Sequence, residues 1–307
     1  MINAKNKPST HKHSHIIRGT GDYVIETISI VLIGIFAICC LMPFVYVFFT
    51  SFMPYTEYLE NPIKMIPSHF TLQAYKQIWD YTLFRSGYSV TLFITVVGTL
   101  LSVFLITISA YPLSKPELRG RKIVMSMILF TMFFNGGMIP NYLLIKNLHL
   151  YNSIWALIIP GCISAFNLIL MKNFIKTTVP ESLEEAAKVD GANDLRILFT
   201  IIVPILKPAI ATMTIFSAVQ YWNSYYSSML YISSRKLWPL ALVLRELVVE
   251  DTSSVSPVTQ MLTSSARSHP FTLKMAAIII TLVPILVVYP FMQRYFVKGI
   301  SLGSVKE

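Results

Sequence analysis

The acids of this 307-residue chain are few and gathered in one place. Of its 15 Asp and Glu, Glu181, Glu184, Glu185, Asp190 and Asp194 fall between Lys172 and Thr200, around Leu183, Ala186 and Ala187. Carboxylates beside small residues suit docking: the alanines let another surface approach while the acids pair with its basic groups. A second concentration is Gln220-Tyr221-Trp222-Asn223-Ser224-Tyr225-Tyr226, whose amides and phenols hydrogen-bond and whose rings stack; Asn135, Asn167 and Asn173 are further amides. Gly299-Ile300-Ser301-Leu302-Gly303 satisfies G-x-S-x-G, the nucleophile turn of serine hydrolases. That turn needs a strand before it, a helix after it, and an acid and a histidine downstream, yet the four residues after Gly303 include no His. No H-E-x-x-H and no G-x-x-x-x-G-K-[ST] occurs. Cys39, Cys40 and Cys162 sit in apolar runs without C-x-x-C spacing and read as small buried residues. The expectation is a protein that is not an enzyme, with no catalytic residue, metal or cofactor of its own.

The elements that must position these groups follow from composition. The chain is 54% hydrophobic and 13% charged, with mean hydropathy +0.60, where a soluble domain carries about 25% charged residues. One core cannot bury that surplus, so lipid must be the solvent for much of the surface; disorder is excluded by the same numbers. Six apolar runs are long enough to cross a membrane: about Val24–Phe52, Tyr88–Leu113, Ile123–Ile145, Ser153–Met171, Ile201–Ile232 and Leu273–Phe296. The first is too long for a signal-peptide core of about 7–15 residues and should remain in the mature protein. Pro43, Pro140, Pro160, Pro204, Pro208, Pro284 and Pro290 are candidate kinks. The net charge of +10 would suggest nucleic acid in a soluble protein. Here it orients the spans: with both termini inside, sixteen of the 25 Lys and Arg lie on the cytoplasmic side against nine outside.

This divides the chain into a basic cytoplasmic tail (1–22), a transmembrane domain (23–300) and a cytoplasmic C-terminal tail (301–307). Residues 172–200 form a cytoplasmic loop, and 53–87 and 233–272 form outer loops. The outer loops, with Tyr55, Tyr58, Trp79, Tyr81 and the polar run Asp251 to Pro257, either contact something extracellular or anchor aromatics at the interface. His11, His13 and His15 belong to the basic tail beside anionic lipid. Within 172–200, Pro180-Glu181 and Ser182-x-x-Glu185 signal a helix start with a possible capping box, and Gly191 signals its stop. Leu183, Ala186, Ala187 and Asp190 then share one face, either docking on a partner or lying as a solvated linker. A second helix should start near Asp194 and run into the membrane through Pro204.

Glu185-Ala186-Ala187, three residues, Gly191, nine residues, then Ile201-Ile202-Val203-Pro204 resembles the EAA motif of ABC importer permeases, with Val203 in place of Leu. Gly136 to Pro140, Trp155 to Pro160 and Gln293 to Gly299 look like the carbohydrate-uptake branch of that family, similar to the small maltose permease subunit and most like the permeases for polysaccharide-derived oligosaccharides in Gram-positive bacteria. The resemblance runs from the first span to the tail. It implies an all-α polytopic membrane protein with six transmembrane helices in the type I ABC importer permease fold. It also implies a multi-pass location in the cell membrane, as one subunit of an ATP-driven sugar importer.

The implied partners are a second homologous permease, an ABC ATPase dimer that binds ATP and Mg, an extracellular sugar-binding lipoprotein, the oligosaccharide and membrane lipid, with no nucleic acid. The resemblance makes Glu184, Glu185, Ala186, Ala187, Asp190 and Gly191 the contact set of a coupling helix, and likens Ser301 to Lys306 to a tail that reaches the ATPase. A sugar path through the bundle would use Gln220, Tyr221, Asn223, Tyr225, Asn135 and Asn167, although helix-to-helix hydrogen bonding accounts for any one of them equally well. Two other functions stand beside this one. A permease for a different solute would want other groups on the path, such as fixed cations for phosphate. A solitary secondary transporter would need intramembrane charges, and apart from Glu26 the spans hold almost none.

Overall fold

The computed structural model describes residues 20–62, 64–249 and 270–304, and among them every regular element is helical. The histidine tail and the Asp251 to Pro257 run lie outside the described residues. Residues up to Val47 and those from Phe48 onward are separate compact units. Among the described residues the first consists of most of α1 (Thr20–Ser51), an apolar helix carrying Pro43 in which 21–45 are exposed.

The second unit is organised around α4 (Thr82–Ser114). Its 33 residues make a rod about 50 Å long, more than enough for a hydrocarbon layer about 30 Å thick. One stripe of α4 is small and buried: Thr91, Gly98, Thr99 and Ser102. Small residues let helices approach without a hydrophobic drive between them. At Gly98 the approach is so close that a Cβ would sit 2.7–2.8 Å from the Tyr221 ring. Tyr221 belongs to α12 (Lys207–Trp222), which together with α8 (Ala165–Thr178) packs along α4.

Towards the Ser114 end of α4, the buried core combines Ile106 and Ala110 with Met171 and Ile175 of α8, and with Ile197, Leu198 and Ile202. Towards the Thr82 end, Phe84 packs with Ile78 of α3 (Gln73–Asp80), Leu240 and Val243 of α14 (Leu240–Val249), and Ala276 of α15 (Pro270–Ser304). The Leu240 N–H donates to Thr91 Oγ1 (2.7 Å), which fixes the start of α14 on α4. A short helix α2 (Tyr55–Glu60) and its following turn are folded around Glu57. That carboxylate accepts from Lys64 Nζ (2.7 Å) and from the backbone N–H groups of Ser68 and His69. The Lys64 hydrogen bond, then that of Ser68, holds Glu57 well below its ordinary range, at about 2.

Three expected spans are bent. Helices α1, α4 and the Phe271–Pro290 stretch of α15 are each long and apolar enough to cross a membrane unbroken; counting each bent pair as one passage brings the number to six. The run 123–145 divides into α5 (Arg121–Phe133) and α6 (Met138–Asn147), bent by 117°. Gly137 takes a φ of +89° at the break, the left-handed region where a side chain would strain. In the fourth run, α7 (Trp155–Ile158) with a 3-10 turn through Gly161 meets α8 at 46°, and α8 runs on to Thr178, beyond the Met171 expected.

The fifth run is not one helix either. Asn193 caps α10 (Asp194–Ile197), its Oδ1 accepting from the Arg196 N–H (2.8 Å). A π turn and α11 (Val203–Ile205) follow, and the chain then turns by 84° into α12. The helical segment begins where expected at Asp194 and runs through Pro204 to Ile205, and the bend follows at Leu206. Pro204 and Pro208 flank Leu206 and each removes an N–H from the helical ladder.

Candidate functional site

Helix α9 (Glu181–Val189) projects from the Ser114 end of the unit. Its stop follows the sequence rule closely: Gly191 has φ +78°, its N–H donates to Lys188 O (3.0 Å), and the Ala192 N–H donates to Ala187 O (2.9 Å). These two bonds make a Schellman closure. The start differs from expectation. Pro180 is the N-cap and no side-chain cap bond forms, so the Ser182/Glu185 capping box is absent.

One residue of the expected outer face, Ala187, turns the other way. Glu184 and Ala187 point inward and are buried, while Leu183, Glu185, Ala186 and Asp190 are exposed, as is Val189 at 88%. Glu184 pairs with Lys115, the residue after α4, and accepts a long hydrogen bond from Tyr111 Oη (3.4 Å). Lys115 also lies 4.9 Å from the Tyr111 ring centroid. Arg121 closes the same corner by donating from Nε to Leu113 O (2.9 Å). The carboxylate buried here is thus one partner of a link between α9 and α4, while Glu185 remains free to meet another molecule. Lys115 and Tyr111 escaped the sequence reading because they are 69 and 73 residues away in the chain.

The amides and aromatics separate into two groups. Tyr221 is 2% exposed, and its hydroxyl bonds to Ser102 Oγ (3.1 Å) and Ile158 O (3.0 Å). It ties α4, α7 and α12 together and lines no open surface. Asn167 is buried in the first turn of α8, where its N–H is capped weakly by Ser164 Oγ (3.5 Å). Asn135 is exposed and serves the break between α5 and α6, accepting from the Gly137 N–H (3.1 Å) and Asn141 Nδ2 (3.2 Å). Gln220, Asn223 and Tyr226 are exposed where α12 ends and α13 (Tyr225–Tyr231) begins. Gln220 lies against Gly161, where a Cβ would come within 3.0 Å of its Nε2. Tyr225 is half-buried under Arg245 of α14, whose guanidinium carbon is 5.3 Å from the ring centroid.

Among the described residues no cluster of His, Cys, Asp or Glu could hold a metal ion. Gly299 to Gly303 lies within continuous helix α15, so the strand-to-helix turn of a hydrolase nucleophile is not formed there.

Comparison with known proteins places this arrangement. Residues 16–302 match the family described as the binding-protein-dependent transport system inner membrane component. The chain is 44% identical over 271 residues to the polygalacturonan/rhamnogalacturonan transport system permease protein YtcP of Bacillus subtilis, covering 88% of this chain and 94% of that one. Its fold matches a chain in the crystal structure of a bacterial ABC transporter involved in the import of the acidic polysaccharide alginate. That match has TM-score 0.85 and 34% identity, over 91% of this chain and 99% of that one. The fold alone is shared with a chain of a bacterial alginate ABC transporter in complex with an alginate pentasaccharide-bound periplasmic protein (TM-score 0.55, 14% identity, 89% and 93% covered). Matched along nearly its whole length, the chain belongs to the binding-protein-dependent transport system inner membrane components, the permease subunits of ABC importers.

Proposed function

We propose that this chain forms half of the membrane path for an oligosaccharide derived from a complex polysaccharide, and that α9 couples it to an ATPase dimer. The observation that carries the reading is α9 itself: a nine-residue helix held to α4 on its inner face and bare on the other. Glu185, Ala186, Asp190 and Val189 offer the docking surface, Gly191 fixes its end, and Glu184 with Ala187 secures it to the permease. In this reading the Ser114 end of α4 and both termini are cytoplasmic, in agreement with the charge count. ATP and Mg bind the partner ATPase; a second permease completes the path, and an extracellular sugar-binding lipoprotein meets segments 53–87 and 233–272. ATP reverses the access only through tighter binding to the closed ATPase dimer, a preference that α9 passes to the membrane helices. The sugar assignment is supported by the relatives named above.

The test uses Ala186→Arg and Val189→Glu, both on the bare face. Each variant should remain inserted and folded but lose co-purification of the ATPase and substrate-stimulated hydrolysis. Full ATPase association and undiminished uptake in both would refute the coupling role.

A further inference from the structure

Charges near the Tyr225–Val249 region already have partners at Arg235, Glu246 and Lys274. Arg235 Nη2 donates to buried Glu246 (2.9 Å), and Lys274 Nζ donates to Val248 O (3.3 Å). Arg245 differs. It is exposed, no carboxylate among the described residues pairs with it, and its contact is with the Tyr225 ring at 5.3 Å. A guanidinium over an aromatic face is held in place by the ring, while its N–H edges stay free to grip a carboxylate with two parallel bonds. The surroundings suit a sugar. Tyr225 follows the break at Asn223 and Ser224, and the exposed groups leading into it are Gln220, Asn223 and Tyr226. Asn223 Nδ2 donates to Val219 O (2.9 Å), but exposed amide groups at the end of a membrane helix, next to interrupted backbone, still belong on a water-filled surface rather than in lipid.

We propose that Arg245, positioned by Tyr225, is a recognition site for the carboxylate of an acidic oligosaccharide, so that the path prefers uronate-bearing sugars to neutral ones. The inference rests on the importer reading and narrows its substrate class. The first relative above is named for polygalacturonan and the structural neighbour for alginate, described as an acidic polysaccharide. Neither name points to a residue. Here the guanidinium supplies fixed positive charge and bidentate geometry, and Gln220 and Asn223 supply neutral hydrogen bonds for ring hydroxyls. Methyl esterification of the sugar would remove the charge while keeping its ring, so the ester isolates the contribution of Arg245.

The experiment reconstitutes the whole importer in proteoliposomes, with its second permease, ATPase and binding protein. It compares ATP-dependent uptake of trigalacturonate, its methyl ester and a neutral trisaccharide at equal occupancy of the binding protein. The unmodified importer should move the acid about tenfold faster than the ester, the scale of one charge-assisted contact. Arg245→Gln should bring that ratio close to one by slowing the acid alone, and Arg245→Lys should recover part of it. Unchanged melting of the Gln variant separates recognition from folding. An acid-to-ester ratio that Arg245→Gln leaves unchanged, or that is already one in the unmodified importer, overturns the arginine site. Absence of ATP-dependent uptake of all three sugars overturns the importer reading itself.

Discussion

Breaking the link between Lys115 and Glu184 gives the sharpest energetic test of how α9 is held. In Lys115→Met the Glu184 carboxylate stays where it is, its side chain only 7% exposed, and loses its cation. Stranding one member of a fully buried pair costs about 3–5 kcal/mol, whereas an exposed pair is worth about 0.2–1 kcal/mol. The Lys115 side chain is 23% exposed, between those limits, so the loss should be about 2 kcal/mol. For a helical unit of this size, that is about 4–8 °C in Tm. Glu184→Gln should cost about 1 kcal/mol, because the amide carbonyl still accepts from Tyr111. Thermal unfolding of the purified chain in detergent, with Lys115→Met, Glu184→Gln and the double variant, completes a cycle that isolates the pair. Additivity within about 0.3 kcal/mol would show that the two groups do not interact and would refute the link.

Three further outcomes follow from the geometry. Gly191→Ala puts a Cβ at φ +78° and should cost about 1–2 kcal/mol, loosening the end of α9; melting and ATPase stimulation should both fall while insertion persists. Tyr221→Ala should destabilise by about 3–5 kcal/mol and lose transport through unfolding, while Tyr221→Phe keeps the ring against Gly98 and costs about 1 kcal/mol; melting curves of the two variants decide. Glu57 has its carboxyl lowered from 4.5 to about 2, so its contribution is complete above about 4.5 and is lost as pH falls towards 2; in Glu57→Gln the Ser68 and His69 amides should exchange faster at pH 7 and show no such loss on acidification.

The helical class, the membrane setting and the punctuation of α9 were legible in the residues, because each depends on local composition: apolar runs, Pro180 at the start, Gly191 at the stop. The inward face of α9 was not. Leu183, Ala186 and Asp190 are exposed, but Ala187 turns inward with Glu184, whose partner Lys115 is distant in the chain. The bends at 134–137 and 206 were equally hidden, since an apolar run reads the same whether straight or folded back. Pro204 and Pro208 marked one bend as a candidate, and Pro140 lay three residues past the other. Tyr221 was misplaced because a tyrosine beside Gln220 and Asn223 looks polar, while its ring fills the space left by Gly98 and its hydroxyl is satisfied internally. Arg245 was counted only as an orienting charge; its stacking on Tyr225 is a tertiary contact between α13 and α14.

The break between α5 and α6 has a consequence for biogenesis. Their 13 and 10 residues reach only about 20 and 15 Å, so neither alone crosses the hydrocarbon layer; with the pair counted as one passage the 134–137 break falls at membrane depth, and every residue of it is exposed on this chain. Interrupted backbone survives at that depth only when protein or water covers it. If the proposed second permease covers this gap, a cell that makes the polypeptide without it holds an unfinished membrane protein, a target for the proteases that clear orphan subunits. On that proposal its abundance is set by the synthesis of its companion as much as by its own.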